Sequence, residues 1–228
     1  MSLFKNVTMP CPACGKEFEF EAVHSVNADR RPDLRDEILN GKFQSISCDK
    51  CQFSFRLDPE MTYLDIGRGQ WIAVHPFGSI GEWETIEALA LAAFNRSYGP
   101  AAPAPARELG AGLKPRLTFG WGALREKIFV QSKGLNDIDL ELTKITVLNG
   151  SDAVPLTAKT ELRLADVQGD ILVMAWVVAE TGEVAEQLAV PRGLYDDISA
   201  DQVGWKALRD ELQNRLFVDM QRLMLAVA

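Results

Sequence analysis

The only four cysteines of the chain fall into two Cys-x-x-Cys pairs, Cys11-Pro12-Ala13-Cys14 and Cys48-Asp49-Lys50-Cys51. A Cys-x-x-Cys turn points two sulfurs the same way, and two such turns supply the four soft donors of one tetrahedral site, which is zinc chemistry first of all. Gly15, directly after Cys14, permits the positive φ such a turn prefers. Four thiolates around Zn²⁺ leave a local charge of −2, and Lys16 and Lys50 are placed to offset it. With Cys11, Cys14, Cys48 and Cys51 all taken as metal ligands, no position stays open for water or substrate, so a structural ion is expected rather than a catalytic one. Iron in a sulfur tetrahedron is equivalent at this level. The first knuckle looks like that of a rubredoxin, whereas Gln52 stands where such knuckles carry glycine. A dithiol redox pair is the other alternative, because a Cys-x-x-Cys turn can lower a thiol pKa, although one pair would suffice for that.

Other residues offer less. His24 and His75 are the only histidines, and with four thiols available they read as surface or packing residues. Asp196, Asp197 and Asp201 could form a carboxylate cluster, but capping and solvation explain them more simply. Gly67-x-Gly69 and Gly120-x-Gly122 are too short for a phosphate loop, and there is no nucleophile elbow. No catalytic and no organic cofactor-binding residue is assigned.

The elements that position the thiols are legible in part. Glu17–Ala22 alternates glutamate with apolar residues, a half-buried strand, and Pro32–Gly41 reads as a short helix. Phe53–Leu57 is a second alternating strand. Thr62–Ile66 and Trp71–Val74 flank a Gly67-Arg68-Gly69 turn as a hairpin. Ser79-x-x-Glu82 is a capping box before a helix with the stripe Trp83, Ile86, Ala90, Ala93 and Phe94. From Tyr98 to Lys114 the chain is rich in Pro, Ala and Gly. The expected organisation is therefore a zinc-ribbon-like domain at 1–98, a linker at 99–114 and an α+β domain at 115–228. That last part holds helices over Trp121–Ser132 and Asn136–Leu148 and a meander of strands near Lys159–Val167, Ile171–Ala179 and Glu183–Val190. One long amphipathic helix near Asp201–Ala226 follows. Its stripe of Trp205, Leu208, Leu212, Leu216, Met220 and Leu223, widened by Phe217, Met224 and Val227, could serve as a subunit interface. The fold class is α+β, with helices packing an antiparallel β-meander.

Composition bounds the function. The net charge is −8, with 10 basic and 14 acidic residues in 1–98 and 14 and 18 in 99–228, so neither half carries the basic footprint of a nucleic-acid binder. No apolar run reaches the ~18 residues a membrane span needs, and no leader pattern opens the chain. A cytoplasmic protein is expected, where thiols stay reduced and bind metal.

Taken in order, Cys11-Pro12-Ala13-Cys14, Ser25-Val26-Asn27, Pro32-Asp33-Leu34, Leu39-Asn40-Gly41-Lys42-Phe43, Cys48-x-x-Cys51 and Tyr63-Leu64-Asp65 resemble the bacterial CpXC proteins. Leu124–Ile128 and Leu135–Glu141 resemble the helical segment of that family, so the likeness covers roughly residues 5–148. Asp49 departs from the second Cys-Pro-x-Cys motif but leaves both thiols in place. The resemblance implies the metal site and a cytoplasmic setting, and it brings no catalytic residues. The expectation is a non-catalytic, zinc-stabilised module that binds another protein or itself, through the last helix in the latter case. A redox protein and a nucleic-acid-binding ribbon are the alternatives.

Overall fold

A computed structural model describes residues 2–150 and 160–225. It is an α+β structure built around a five-stranded sheet. Strands β1 (Leu3–Pro10) and β2 (Glu17–Asn27) form an antiparallel hairpin whose last paired residues, Pro10 and Glu17, bracket the first cysteine turn. The polar–apolar alternation of β2 turns its glutamates to water and Phe18, Phe20 and Ala22 to the other face. The chain then crosses over through α1 (Pro32–Leu39) and a small hairpin, β3 (Ser45–Ser47) and β4 (Ser54–Arg56). It re-enters the sheet as β5 (Met61–Asp65), parallel to β2. The second cysteine turn is the tip of the β3–β4 hairpin, so a crossover connection delivers it beside the first.

The expected hairpin at Thr62–Val74 is β5 and β6 (Gln70–His75), closed by Gly67–Gly69. Gly69 is required there: its φ is +66°, and a Cβ would stand 2.8 Å from the carbonyl oxygen of Gly112. Asp29 fixes the same turn by accepting from the Ile66 and Gly67 N–H groups at 2.6 and 2.8 Å.

The stretch expected to be a linker is structured. After α2 (Trp83–Tyr98) it holds α3 (Ala104–Ala111) and leads into β7 (Lys114–Phe119), which pairs in parallel with β6 and completes the sheet. The composition misleads because Pro103 and Pro105 stand at the start of a helix, where a missing N–H costs nothing. The Ser79/Glu82 capping box does not form either. Residues Phe77–Glu82 make a 3-10 turn, and Glu82 precedes α2 without a side-chain cap bond.

Both faces of the sheet are covered, which is why β6 is buried almost end to end. On one face Val23, Tyr63, Ile72 and Val74 meet α1 and α4 (Gly120–Ser132) through Leu34, Ile38, Leu124 and Ile128. On the other, Trp71, Ala73 and Leu117 meet Ile86 and Ala90 of α2 together with Leu216 and Phe217. The other side of α4 carries Val130 into a second core with α5 (Asp137–Asn149) and the meander β8 (Thr160–Gln168), β9 (Ile171–Val178) and β10 (Val184–Pro191). The apolar β9 is the middle strand, as its sequence predicts. Asn136 caps α5 by accepting from the N–H groups of Ile138 and Asp139. The expected first residue of the meander, Lys159, lies outside the described residues.

The C-terminal segment corrects an expectation. Instead of one long helix over 201–226 there are α7 (Lys206–Gln213) and α8 (Met220–Leu225), joined by an irregular strap, with a separate α6 (Arg192–Ala200) before them. Ala226 and Val227, expected to extend that helix, lie outside the described residues, as does the side chain of Met224. The strap has a physical cause. The buried Glu87 carboxylate of α2 accepts from the N–H groups of Leu216 and Phe217 at 2.7 and 2.9 Å. Leu216 in turn accepts from Leu117 of β7, and Glu141 takes the N–H of Met220 at 3.0 Å. Backbone donors that a helix would use internally are thus claimed from outside, and Leu216 and Phe217 turn into the sheet core. Glu87→Ala would strand two buried N–H groups, each worth about 1–3 kcal/mol. A loss of about 2–6 kcal/mol is expected in urea unfolding, and an unchanged midpoint would show that the strap is held by its side chains alone. Among the described residues no helix is long and apolar enough to cross a membrane.

Candidate metal centre

The two cysteine turns share one backbone pattern. In the first, the Gly15 N–H donates to the Cys11 carbonyl at 2.9 Å and the Cys11 N–H to the Lys16 carbonyl at 2.8 Å. In the second, Gln52 donates to Cys48 at 2.8 Å and Cys48 to Phe53 at 2.9 Å. Gly15 and Gln52 occupy equivalent places with φ of +70° and +60°. Glutamine is an unfavourable occupant of that left-handed region, yet it takes the shape that glycine takes in the first turn. Its side-chain amide donates to the Asp49 carbonyl at 3.2 Å.

The hairpins bring all four sulfurs within 4.8 Å of one another. Cys11 and Cys51 are 3.7 Å apart, as are Cys14 and Cys48. A tetrahedral ion at about 2.3 Å from each sulfur requires edges of about 3.8 Å, so the donor set fits a metal such as zinc. The same spacing is far beyond the ~2 Å of a disulfide, and all four thiols are free. Cys11 and Cys48 are buried, Cys14 is intermediate and Cys51 is exposed, so the site sits at the protein edge.

The electrostatics point the same way. N–H groups of Cys51 and Lys50 draw the Cys48 thiol down to about 6. At Cys51 the Phe53 N–H pulls the same way, but desolvation and the three neighbouring sulfurs outweigh it and push that thiol up to about 12. Four thiolates held this close repel one another, and a positive ion among them would offset that. Lys16 Nζ donates to Asp49 Oδ2 at 2.5 Å, tying one turn to the other. Asp49, which stands where a Cys-Pro-x-Cys turn would carry proline, therefore links the two turns. Below the site, Phe18 of β2 meets Phe55 of β4 edge-on at 5.9 Å, and Phe55 stacks with Phe53 at 6.1 Å. Gln52→Gly should relieve backbone strain of about 1 kcal/mol. The metal-loaded variant is expected to melt at or slightly above the wild-type temperature. A clear drop would mean that the side-chain bond to Asp49 outweighs the strain.

Among the described residues the four cysteines are the one group of His, Cys, Asp and Glu side chains close enough to hold a metal. His24 and His75 line a separate cleft with Glu60. The aspartates expected between meander and helix fall inside α6 and just after it. Asp196 is 3.6 Å from Arg192, and Asp201 accepts from the Gly204 N–H at 2.8 Å.

Sequence reasoning missed a cluster of buried charges between the two layers. Lys144 Nζ lies 2.7 Å from Glu126 and 3.1 Å from Glu141, and Arg163 lies 3.1 Å from Glu126 and 2.6 Å from Asp219 and also pairs with Glu161. Lys127 bridges Glu141 and Asp137, and Arg116 pairs with Asp137 at 2.7 Å. The one available signal was charge inside apolar segments, as in Leu124–Ile128 and Leu162-Arg163-Leu164.

The chain is an α+β protein with four thiols gathered at the tips of two hairpins, a donor set that could hold a metal ion. The family follows from comparison: the model of the CpXC protein family matches residues 9–144, more than half the sequence, and the chain belongs to that family. No curated protein and no solved structure matches it.

Proposed function

We propose that the chain is a non-catalytic, zinc-stabilised module with a zinc-ribbon-like front half, acting by binding another protein or a second copy of itself. The observation that carries this reading is the gathering of four protein thiols within 4.8 Å of one another, with two of the six separations at 3.7 Å, close to the edge of a metal–thiolate tetrahedron. Cys11, Cys14, Cys48 and Cys51 would hold the ion, whose role is to fix the β3–β4 hairpin against β1–β2. The interaction half draws support from apolar side chains left in water on α2 and α3, with Leu89 65% exposed and Leu91 and Leu109 each 45%. The C-terminal residues first considered for self-association, Leu212, Leu216, Phe217 and Met220, are buried within the chain.

Elemental analysis of the native protein, run together with its mass in solution, tests both halves. One zinc per chain and a mass above 25.2 kDa, or a retained partner, are the expected results. A metal-free protein overturns the site, and a clean monomer at high concentration with no partner overturns the interaction. One observation favours a second reading, an iron electron carrier: Gln52 does not distort its turn, so both knuckles suit iron alike. A coloured protein with stoichiometric iron would decide for it.

A further inference from the structure

A cleft of about 460 Å³ opens where the β3–β4 hairpin and the end of α1 face α4 and the meander. The size is that of a small-molecule site. Its charge is unlike that of the protein as a whole: three arginines, Arg56, Arg125 and Arg163, line it with no aspartate or glutamate, in a chain of net charge −8. Arg163 is neutralised by the buried carboxylates behind it. Arg56 has no carboxylate beside it, and Arg125 has only Asp166 within electrostatic reach. Among the described residues neither forms an ion pair; Arg56 Nε donates to the Phe43 carbonyl at 2.7 Å, and Arg125 Nε donates to the Leu39 carbonyl at 2.8 Å.

Arg56 is the telling group. Its guanidinium lies over the Trp121 ring at 3.9 Å, and its Nη2 is sealed from solvent without a hydrogen-bond partner. Burial without a counter-charge draws its pKa down to about 10. A desolvated guanidinium without a counter-charge is costly unless an anion lies beside it. The remaining wall, with Leu164, Val177 and Val184, is apolar.

We propose that this cleft binds a small organic oxyanion, with the phosphate or carboxylate group on Arg56 and Arg125 and an apolar body against the meander. The site is separate from the four thiols and does not depend on which metal they hold.

Titration calorimetry on the full-length, metal-loaded chain tests it with phenyl phosphate, benzoate, inorganic phosphate and the neutral benzamide. Saturable one-to-one binding of phenyl phosphate or benzoate is expected, with inorganic phosphate weaker and benzamide silent. The comparison of the first two separates phosphate from carboxylate recognition. Arg56→Gln should weaken binding at least about tenfold. Val184→Glu is a second variant at an exposed position, 51% accessible, which folding tolerates; it sets a carboxylate at the cleft and should weaken binding as well. No saturable heat from any oxyanion with the wild-type chain overturns the proposal. So does equal binding by wild type and Val184→Glu, or a benzamide response matching that of benzoate, since any of these would leave Arg56 a clamp on Trp121 and nothing more.

Discussion

Cys48→Ser is expected to release the metal and melt the β3–β4 hairpin while the five-stranded sheet stays folded. Serine keeps the shape of cysteine but offers a hard hydroxyl that does not ionise near neutral pH, so three thiolates remain for an ion that requires four donors. Structural zinc in small finger peptides is worth ~10–16 kcal/mol of apparent free energy, so losing one ligand costs several kcal/mol. The loss falls locally, because β3 and β4 are three residues each and Cys48 lies at their tip. The main core is independent of it: Tyr63, Ile72, Leu124 and Ile128 pack without any cysteine. Metal content should fall from one per chain to near none. Hydrogen exchange should quicken over residues 42–57, while β5 and β6 keep their protection. Trp121, whose Nε1 donates to Leu57 at 2.7 Å and whose ring lies under Arg56, should shift its emission to the red. A variant that keeps stoichiometric metal with unchanged exchange would show that the two pairs do not share an ion.

The local parts of this architecture were legible in the sequence because they depend on neighbours. The thiol spacing, the alternation of β2, the turn at Gly67–Gly69 and the apolar run of β9 each state their own geometry within a few residues. What stayed hidden was set from a distance. Nothing near Leu216 says that its N–H will be taken by Glu87, 129 residues away, or that Met220 will be held by Glu141, 79 residues away. Those two carboxylates divide an amphipathic pattern that by itself reads as one helix. The parallel pairings of β2 with β5 and of β6 with β7 are likewise invisible, since the register of a crossover is fixed by packing. The charged cluster was hidden for a further reason. Glu161-Leu162-Arg163-Leu164 alternates as a half-exposed strand does, and only the second layer makes its polar face an interior one. At the cysteine cluster the four thiols were readable, but not the part of Asp49, which takes shape only when Lys16 comes within reach across the two turns.

Lys144→Met is expected to destabilise the fold by about 3–5 kcal/mol, the usual cost of removing one partner from a buried ion pair. Lys144 has no solvent exposure and neutralises two carboxylates, Glu126 from α4 and Glu141 from its own helix. Methionine fills nearly the same volume, so the effect is electrostatic rather than a cavity. In the wild type, burial works to raise Glu126, yet Lys144 and Arg163 hold it below the usual carboxylate range. Asp219 behaves alike: burial opposes ionisation, but Arg163, Lys144 and Lys127 keep it at about 2. A depressed folded value means that Asp219 adds stability above the unfolded carboxylate range, near 3.9, and that this is lost as the pH falls toward 2. Without Lys144 the sign reverses at Glu126, while Glu141, which burial already holds above the usual carboxylate range, is raised further. Their protonated forms become the favoured ones, so the variant should be nearest to wild type in mild acid and fall further behind as the pH rises. At neutral pH the melting temperature should drop by about 6–20 °C. Adding Glu126→Gln to Lys144→Met removes one stranded charge and should recover part of the loss. If Lys144→Met matched wild type across the pH range, the charges of α4, α5, β8 and the C-terminal strap would be passengers. The two layers would then be joined by their apolar contacts alone.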